Sequence, residues 1–171
     1  SGAGLRTNFY LYVCTIEPPG EPEKEMGEDP AGGWRERANE LAEDGDFVLA
    51  VEAFTASLRA APCHFETYES IAQCYLMMDE PELVARSVLF AAKATLLEPG
   101  WAAGHLTLAR AHLAVSNFSL AATEFERVLE LEPGMAREVE EDLEVANTNM
   151  RKRYSGCGRD PLVCPPCPPS Q

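Results

Sequence analysis

Small and apolar residues recur at helical spacing through the middle of the chain, and prolines interrupt them at regular intervals. Two stretches carry the same frame: Ala50-x3-Phe54 followed by Pro62, and Ala121-x3-Phe125 followed by Pro133, with the proline 12 residues after the alanine in both. A third proline, Pro99, lies 34 residues before Pro133 and 37 after Pro62. Apolar positions every three or four residues put one face of a helix against its neighbours. A proline lacks an N–H and pushes the residue before it out of the helical region, so each proline reads as the end of a helix. The frame therefore predicts helix pairs, each closed by a proline.

With each proline at position 32 of a repeat, the rest of the pattern falls into register. The first repeat has Trp34 at position 4, Ala38 at 8, Leu41 at 11, Gly45 at 15, Ala50 at 20 and Phe54 at 24. The second reads Tyr68-x2-Ile71-Ala72-x2-Tyr75, and counting back from Pro99 gives Ser87, Ala91 and Ala94 on its second helix. The third reads His105-x2-Leu108-Ala109-x2-His112, then Ala121, Phe125 and Val128. Small residues at positions 8 and 20 let two helices approach closely, and bulky ones fill the space between repeats. Gly45-Asp46 and Ser116-Asn117 mark turns inside the first and third pairs. The three residues beyond the 34-residue period in repeat two are expected to lengthen its internal turn around Met78–Glu82, with Pro81 in the first turn of the next helix.

Over residues 31 to about 134 this frame resembles the tetratricopeptide repeat (TPR) family, whose period is 34 and whose signature is W-x2-L-G-x2-Y…A-x3-F…P. The resemblance implies an all-α fold, a TPR α-solenoid of three helix-turn-helix repeats (31–64, 65–101 and 102–134). Arg37 departs from the usual leucine at position 7, which fits an exposed array end, and His105 and His112 replace aromatic positions. Beyond Gly134, Met135, Val139, Leu143, Ala146 and Met150 keep the helical period. Glu138, Glu140, Glu141, Asp142 and Glu144 crowd the start of that stretch and Arg151-Lys152-Arg153 its end, an order that suits the helix macrodipole. Residues 135–153 read as the capping helix that covers the last repeat's apolar face. Residues 1–30 (acidic) and 154–171 (Cys- and Pro-rich) lack periodicity and read as disordered tails.

Charge and composition narrow the function. Among 171 residues, 14 Lys+Arg face 28 Asp+Glu, a net charge of −14. Nucleic-acid binding needs clustered bases, which this balance opposes. The longest apolar runs, Phe9–Cys14 and Val88–Ala92, fall well short of the roughly 20 residues a spanning helix needs. No charged-then-apolar leader opens the chain, and a start at Ser1-Gly2 without Met reads as a processed chain or a fragment. Six cysteines are too sparse for a disulfide framework, so a cytoplasmic or nuclear setting is expected.

No phosphate loop, G-x-S-x-G elbow or H-E-x-x-H zinc motif is present, and the expectation is a protein that is not an enzyme, with no cofactor. His105 and His112 sit two turns apart on one helix, and the register supplies no carboxylate to join them, so they read as buried structural histidines. Cys63-His64 read as turn residues and Cys74 as a small core hydrophobe. Cys157-x6-Cys164-x2-Cys167 has zinc-like spacing in one half, but only three ligands against the four a closed site needs. A metal or redox role for this tail stands as an alternative. Asn117-Phe118-Ser119 matches a glycosylation sequon but lacks a secretory leader to give it meaning.

A TPR resemblance implies that ligand lies in the concave groove lined by first helices at positions 2, 5, 9, 12 and 13. Carried onto this sequence, these are Gly32, Arg35, Asn39, Ala42 and Glu43; Glu66, Glu69, Gln73, Leu76 and Met77; and Ala103, Leu106, Arg110, Leu113 and Ala114. Candidate partner-binding residues are Arg35, Asn39, Glu43, Glu66, Glu69, Gln73, Leu76, Met77, Leu106, Arg110 and Leu113. Cochaperone members of the family grip acidic chaperone tails through five positions. Here Arg35 and Asn39 match, while Ser70, Ala103 and Thr107 do not. The expected partner is a protein or peptide with basic and apolar side chains, bound by an adaptor or assembly subunit, with a chaperone cofactor as the alternative. No nucleic acid, membrane or small-molecule substrate is implied.

Overall fold

The computed structural model describes residues 30–78 and 80–155. Expectations for the two tails, including Cys157, Cys164 and Cys167, lie outside the described residues. Seven α-helices and no strand occur among the described residues: α1 Pro30–Glu43, α2 Phe47–Ala60, α3 Phe65–Met77, α4 Pro81–Leu97, α5 Ala102–Ala114, α6 Phe118–Leu131 and α7 Ala136–Ser155, with a 3-10 turn at Pro133–Met135. Consecutive helices pair as α1/α2, α3/α4 and α5/α6, and each pair stacks on the next. Pro30 opens α1 rather than closing a tail.

The repeat register is an account of which residues vanish from solvent. Ala38, Ala72 and Ala109 at position 8 are fully buried, as are Ala50, Ser87 and Ala121 at position 20. With no side chain beyond a methyl or hydroxymethyl, these let the paired backbones close up. Phe54 and Phe125 at position 24 are buried in the cores so formed. Complete burial of each phenyl ring contributes about 1.5–3 kcal/mol. The second helices end at Ala60, Leu97 and Leu131, each two residues before its proline, as the steric restriction ahead of proline requires.

Turns inside the first and third pairs are built alike. In the first, Asp46 N donates to Leu41 O (2.8 Å) and Gly45 N to Ala42 O (3.1 Å). In the third, Asn117 N donates to His112 O (2.8 Å) and Ser116 N to Leu113 O (2.9 Å). This nested pair of bonds demands one residue in the left-handed region; it is Gly45 (φ 85°) in one and Ser116 (φ 60°) in the other.

The second pair departs from expectation. Its three additional residues do not lengthen the turn: α4 has 17 residues, against 14 in both α2 and α6. Pro81, in the first turn where its missing N–H is no loss, starts the helix early. Leu83 and Val84 then pack inward, Val84 buried and Leu83 against the first core, which stabilises the added turn.

The interior divides into two lobes and a waist. The first lobe gathers Ala38, Leu41, Ala50, Phe54, Ile71 and Tyr75 from the first pair and α3. The last gathers Leu106, Phe125, Val128, Val139 and Ala146 from the third pair and α7. Between them the buried residues are Ala72, Ala91 and Leu108. α7 covers the end of the array as the capping pattern predicts, and Arg153 near its close sits 5.3 Å over the Phe118 ring at the start of α6.

Candidate functional site

The face lined by α1, α3 and α5 changes character along its length. Between α1 and α3 an open cavity of about 360 Å³ is lined by Gly32, Arg35, Glu36 and Asn39 on one side and Glu66, Thr67 and Ser70 on the other, with buried Phe54 and half-buried His64 completing it. Its walls are set by local contacts. Ser57 Oγ donates to Ala31 O (2.9 Å), tying α2 to the first turn of α1. Tyr68 Oη donates to Pro62 O (3.0 Å), tying α3 to the turn that ends the first repeat. His64 precedes α3 in an extended conformation, its Nδ1 3.0 Å from Thr67 Oγ1 and its Nε2 3.5 Å from Glu66 Oε2.

Between α3 and α5 the face is closed. Glu69 is buried and accepts hydrogen bonds from Thr107 Oγ1 (2.6 Å) on α5 and from the Gln73 amide on its own helix. Burial pushes the Glu69 carboxyl above its ordinary pKa; the bonds from Thr107 and Gln73 oppose this, and the Glu66 charge adds to it. Leu106, one residue before Thr107, is only 5% exposed and belongs to the C-terminal core. At the far end, Arg110 Nε donates to Asp142 Oδ2 (2.9 Å) and Nη2 lies 3.4 Å from Glu138 Oε1, both carboxylates on α7.

The candidate partner-binding residues thus separate. Arg35 and Asn39 share the open cavity with Glu66; Glu43 and Gln73 are exposed on α1 and α3. Leu76 and Leu113 are half-buried, and Met77 is 63% exposed. Glu69 and Leu106 are buried, and Arg110 is engaged by α7. Of the chaperone-clamp positions, Arg35, Asn39 and Ser70 line one cavity, while Thr107 is committed to Glu69. The groove positions of the register did not include Glu36, His64 or Thr67, and it placed Phe54 only in the core. Glu36 at position 6, directly after Arg35, and His64, directly before α3, were the available signals.

His105 does have a carboxylate partner, contrary to expectation. Its Nδ1 lies 2.7 Å from Glu124 Oε2 on α6, and its Nε2 is 3.1 Å from Pro99 O, so the ring joins both helices of the third pair to the preceding turn. His112 Nδ1 is buried with no hydrogen-bond partner among the described residues, and burial lowers the pKa of this ring against the opposing pull of Glu124. Cys74 is buried, its thiol pushed up to about 11 by desolvation, and Cys63 is exposed in the turn. Among the described residues no three His, Cys, Asp or Glu side chains are placed to hold a metal ion. No described helix is long and apolar enough to cross a membrane.

Comparison with known proteins agrees on architecture. No protein-family model matches the chain, and no curated protein matches it in sequence. Solved structures do. The first TPR domain of human RPAP3 superposes with a TM-score of 0.69 at 21% identity, covering 75% of this chain and 98% of that one. The first TPR of Spaghetti (RPAP3), bound to the HSP90 peptide SRMEEVD, gives 0.67 at 20% identity over 75% of this chain and 99% of that one. The TPR2B domain of yeast Sti1, in complex with pHsp70, gives 0.64 at 21% identity over 70% and 97%.

Proposed function

The chain has the fold of a tetratricopeptide-repeat domain, three helical hairpins and a capping helix, and from that premise we propose that it is a non-catalytic interaction module. It takes a segment of a partner protein along the concave face, and that segment carries basic and apolar side chains.

One observation carries this reading: the concave face has carboxylates to offer and little basic charge. Arg110 is neutralised by Asp142 and Glu138, and Leu106 and Thr107 on the same helix are buried. Glu36, Glu43 and Glu66 are exposed on α1 and α3, and Met77 supplies an apolar contact. Extended or helical peptides with alternating basic and apolar side chains fit such a surface. The test is calorimetric titration of a Lys/Leu peptide into the intact chain. Met77→Asp with Glu66→Lys should weaken binding about 10-fold or more, the loss expected when an anchor and its charge partner are both removed. Equal affinity for wild type and double variant would rule the reading out.

A second reading rests on the cavity itself. Arg35, Asn39 and Ser70 meet there, and the similar domains of RPAP3 and Sti1 are bound to an HSP90 peptide and to pHsp70 respectively. On this reading the module holds an acidic chaperone tail. Tighter binding of SRMEEVD than of the Lys/Leu peptide, lost in Arg35→Glu, would replace the first reading with the second.

A further inference from the structure

Among the described residues Glu69 is the one buried acid, and it sits where the open and closed halves of the concave face meet. Thr107 Oγ1 donates to its Oε1 across the α3–α5 junction (2.6 Å), and the Gln73 amide donates to the same oxygen from the next turn of α3. One turn in the other direction is Glu66, exposed at the wall of the α1–α3 cavity with His64 Nε2 3.5 Å from its carboxylate. Residues three apart on a helix are neighbours, so the Glu66 charge bears on Glu69 and opposes its ionisation, adding to the cost of burial. Among the described residues no charge on α2, α4 or α5 acts on Glu69, and Arg110 of α5 is turned onto Asp142 and Glu138. Arg35 and Glu36 face the cavity from α1. The Cys74 thiol, on the same helix as Glu69, is pushed up to about 11 and stays neutral.

A partner cation at Glu66 changes this balance. It offsets the charge that opposes ionisation of Glu69 and attracts the ionised carboxylate directly, so cation and proton compete. Once ionised, Glu69 accepts from Thr107 as a charge-assisted bond, roughly twice as strong as a neutral one, and so draws α5 onto α3. We infer that Glu69 is a proton-operated positioning residue: a basic side chain bound at Glu66 displaces the Glu69 proton to solvent and tightens the Glu69–Thr107 clasp. Filling the open α1–α3 half of the face thereby stiffens the closed α3–α5 half. This rests on the groove reading above, in which the partner segment is basic and apolar, and it supplies the regulation of that same site. The sign follows from linkage. A ligand that favours the ionised form binds best above the range in which Glu69 titrates and loses affinity as pH falls through it.

The Lys/Leu peptide is titrated calorimetrically into the intact chain from about pH 8 down to about pH 5, a range that lies above the unperturbed carboxylate value. Affinity should fall at least about 5-fold, the lower end of typical coupling between two sites. At the acid end binding should release protons, seen as different heats in two buffers of different ionisation enthalpy. Glu69→Gln keeps an oxygen for Thr107 and Gln73 but cannot ionise, so it should lose this pH dependence and hold the affinity that wild type shows in acid. Thr107→Val removes a bond that favours the ionised carboxylate and should move the midpoint to higher pH, which a purely structural role for Thr107 would not do. His64→Gln removes the imidazole beside Glu66 and should leave the Glu69 slope in place. Level wild-type affinity across the range, an unchanged slope in Glu69→Gln, loss of the slope in His64→Gln, or a midpoint unmoved by Thr107→Val overturns the proton clasp while the groove reading stands. Absence of peptide binding at every pH overturns both.

Discussion

Between α1 and α3 the concave face is open, and between α3 and α5 it is shut, although both junctions use the same repeat positions. Position 5 holds Arg35 at the cavity wall in the first repeat, Glu69 under Thr107 in the second and Leu106 in the core of the third. Position 9 holds exposed Asn39 and Gln73, then Arg110 drawn onto α7. What differs is the neighbour. Among the described residues no hairpin stacks ahead of α1, while α5 of the third repeat is backed by α7, whose Val139 and Ala146 pull Leu106 into a shared core. A repeat position therefore specifies where a side chain begins, and the next element decides whether it faces a partner or the interior.

The sharpest way to break this comparison is at Leu106. Leu106→Ala should cost about 2–5 kcal/mol, the usual loss for a truncated core leucine, measured by urea denaturation monitored at 222 nm. A cost near zero would place Leu106 on the binding surface after all. Next comes the Glu69–Thr107 bond. Thr107→Val removes the hydroxyl from a buried carboxyl and should cost about 1.5 kcal/mol, in line with hydrogen bonds to ionisable groups. The same site has a pH signature. Because the folded Glu69 pKa lies above the unfolded value of 4.5, the folded state holds more protons between those two values. Its contribution to stability is then present below 4.5 and fades as pH rises through the folded pKa. Glu69→Gln should remove that part of the slope, read from denaturation midpoints between pH 4 and 8; an identical profile would show that Glu69 titrates as if exposed. Smallest of all is Met77→Ala, expected to change stability by less than about 0.5 kcal/mol as a surface substitution, while still weakening the Lys/Leu peptide.

The parts of this fold that were legible in the sequence are those where the backbone itself imposes a residue. Pro62, Pro99 and Pro133 had to stop helices, and Ala38, Ala50, Ala109 and Ala121 had to be small for two backbones to meet; each reads correctly without knowing its neighbours. The extra residues of the second repeat were visible as a count, but Pro81 is equally at home in a turn or a first helical turn. Packing of Leu83 and Val84 settled it in favour of a longer helix. The partners of His105 and Glu69 were not legible at all. Glu124 is 19 residues away and Thr107 is 38, and no local period links residues on different helices. At the candidate site, Arg35 and Asn39 were found through the register, whereas His64 and Thr67 enter the cavity only because the turn after Pro62 brings the start of α3 against α1.

The alanine-rich waist has a mechanical consequence. Phe54, Ile71 and Tyr75 hold one lobe, and Phe125, Val128 and Val139 hold the other, but the buried seam between them is Ala72, Ala91 and Leu108. In a linear array, stability is the sum of local units and the interfaces that couple them, and here the coupling interface has the smallest buried cluster. The two lobes should therefore act as hinged plates, with bending and local opening expected along the seam of Ala72, Ala91 and Leu108 while each end retains its own core.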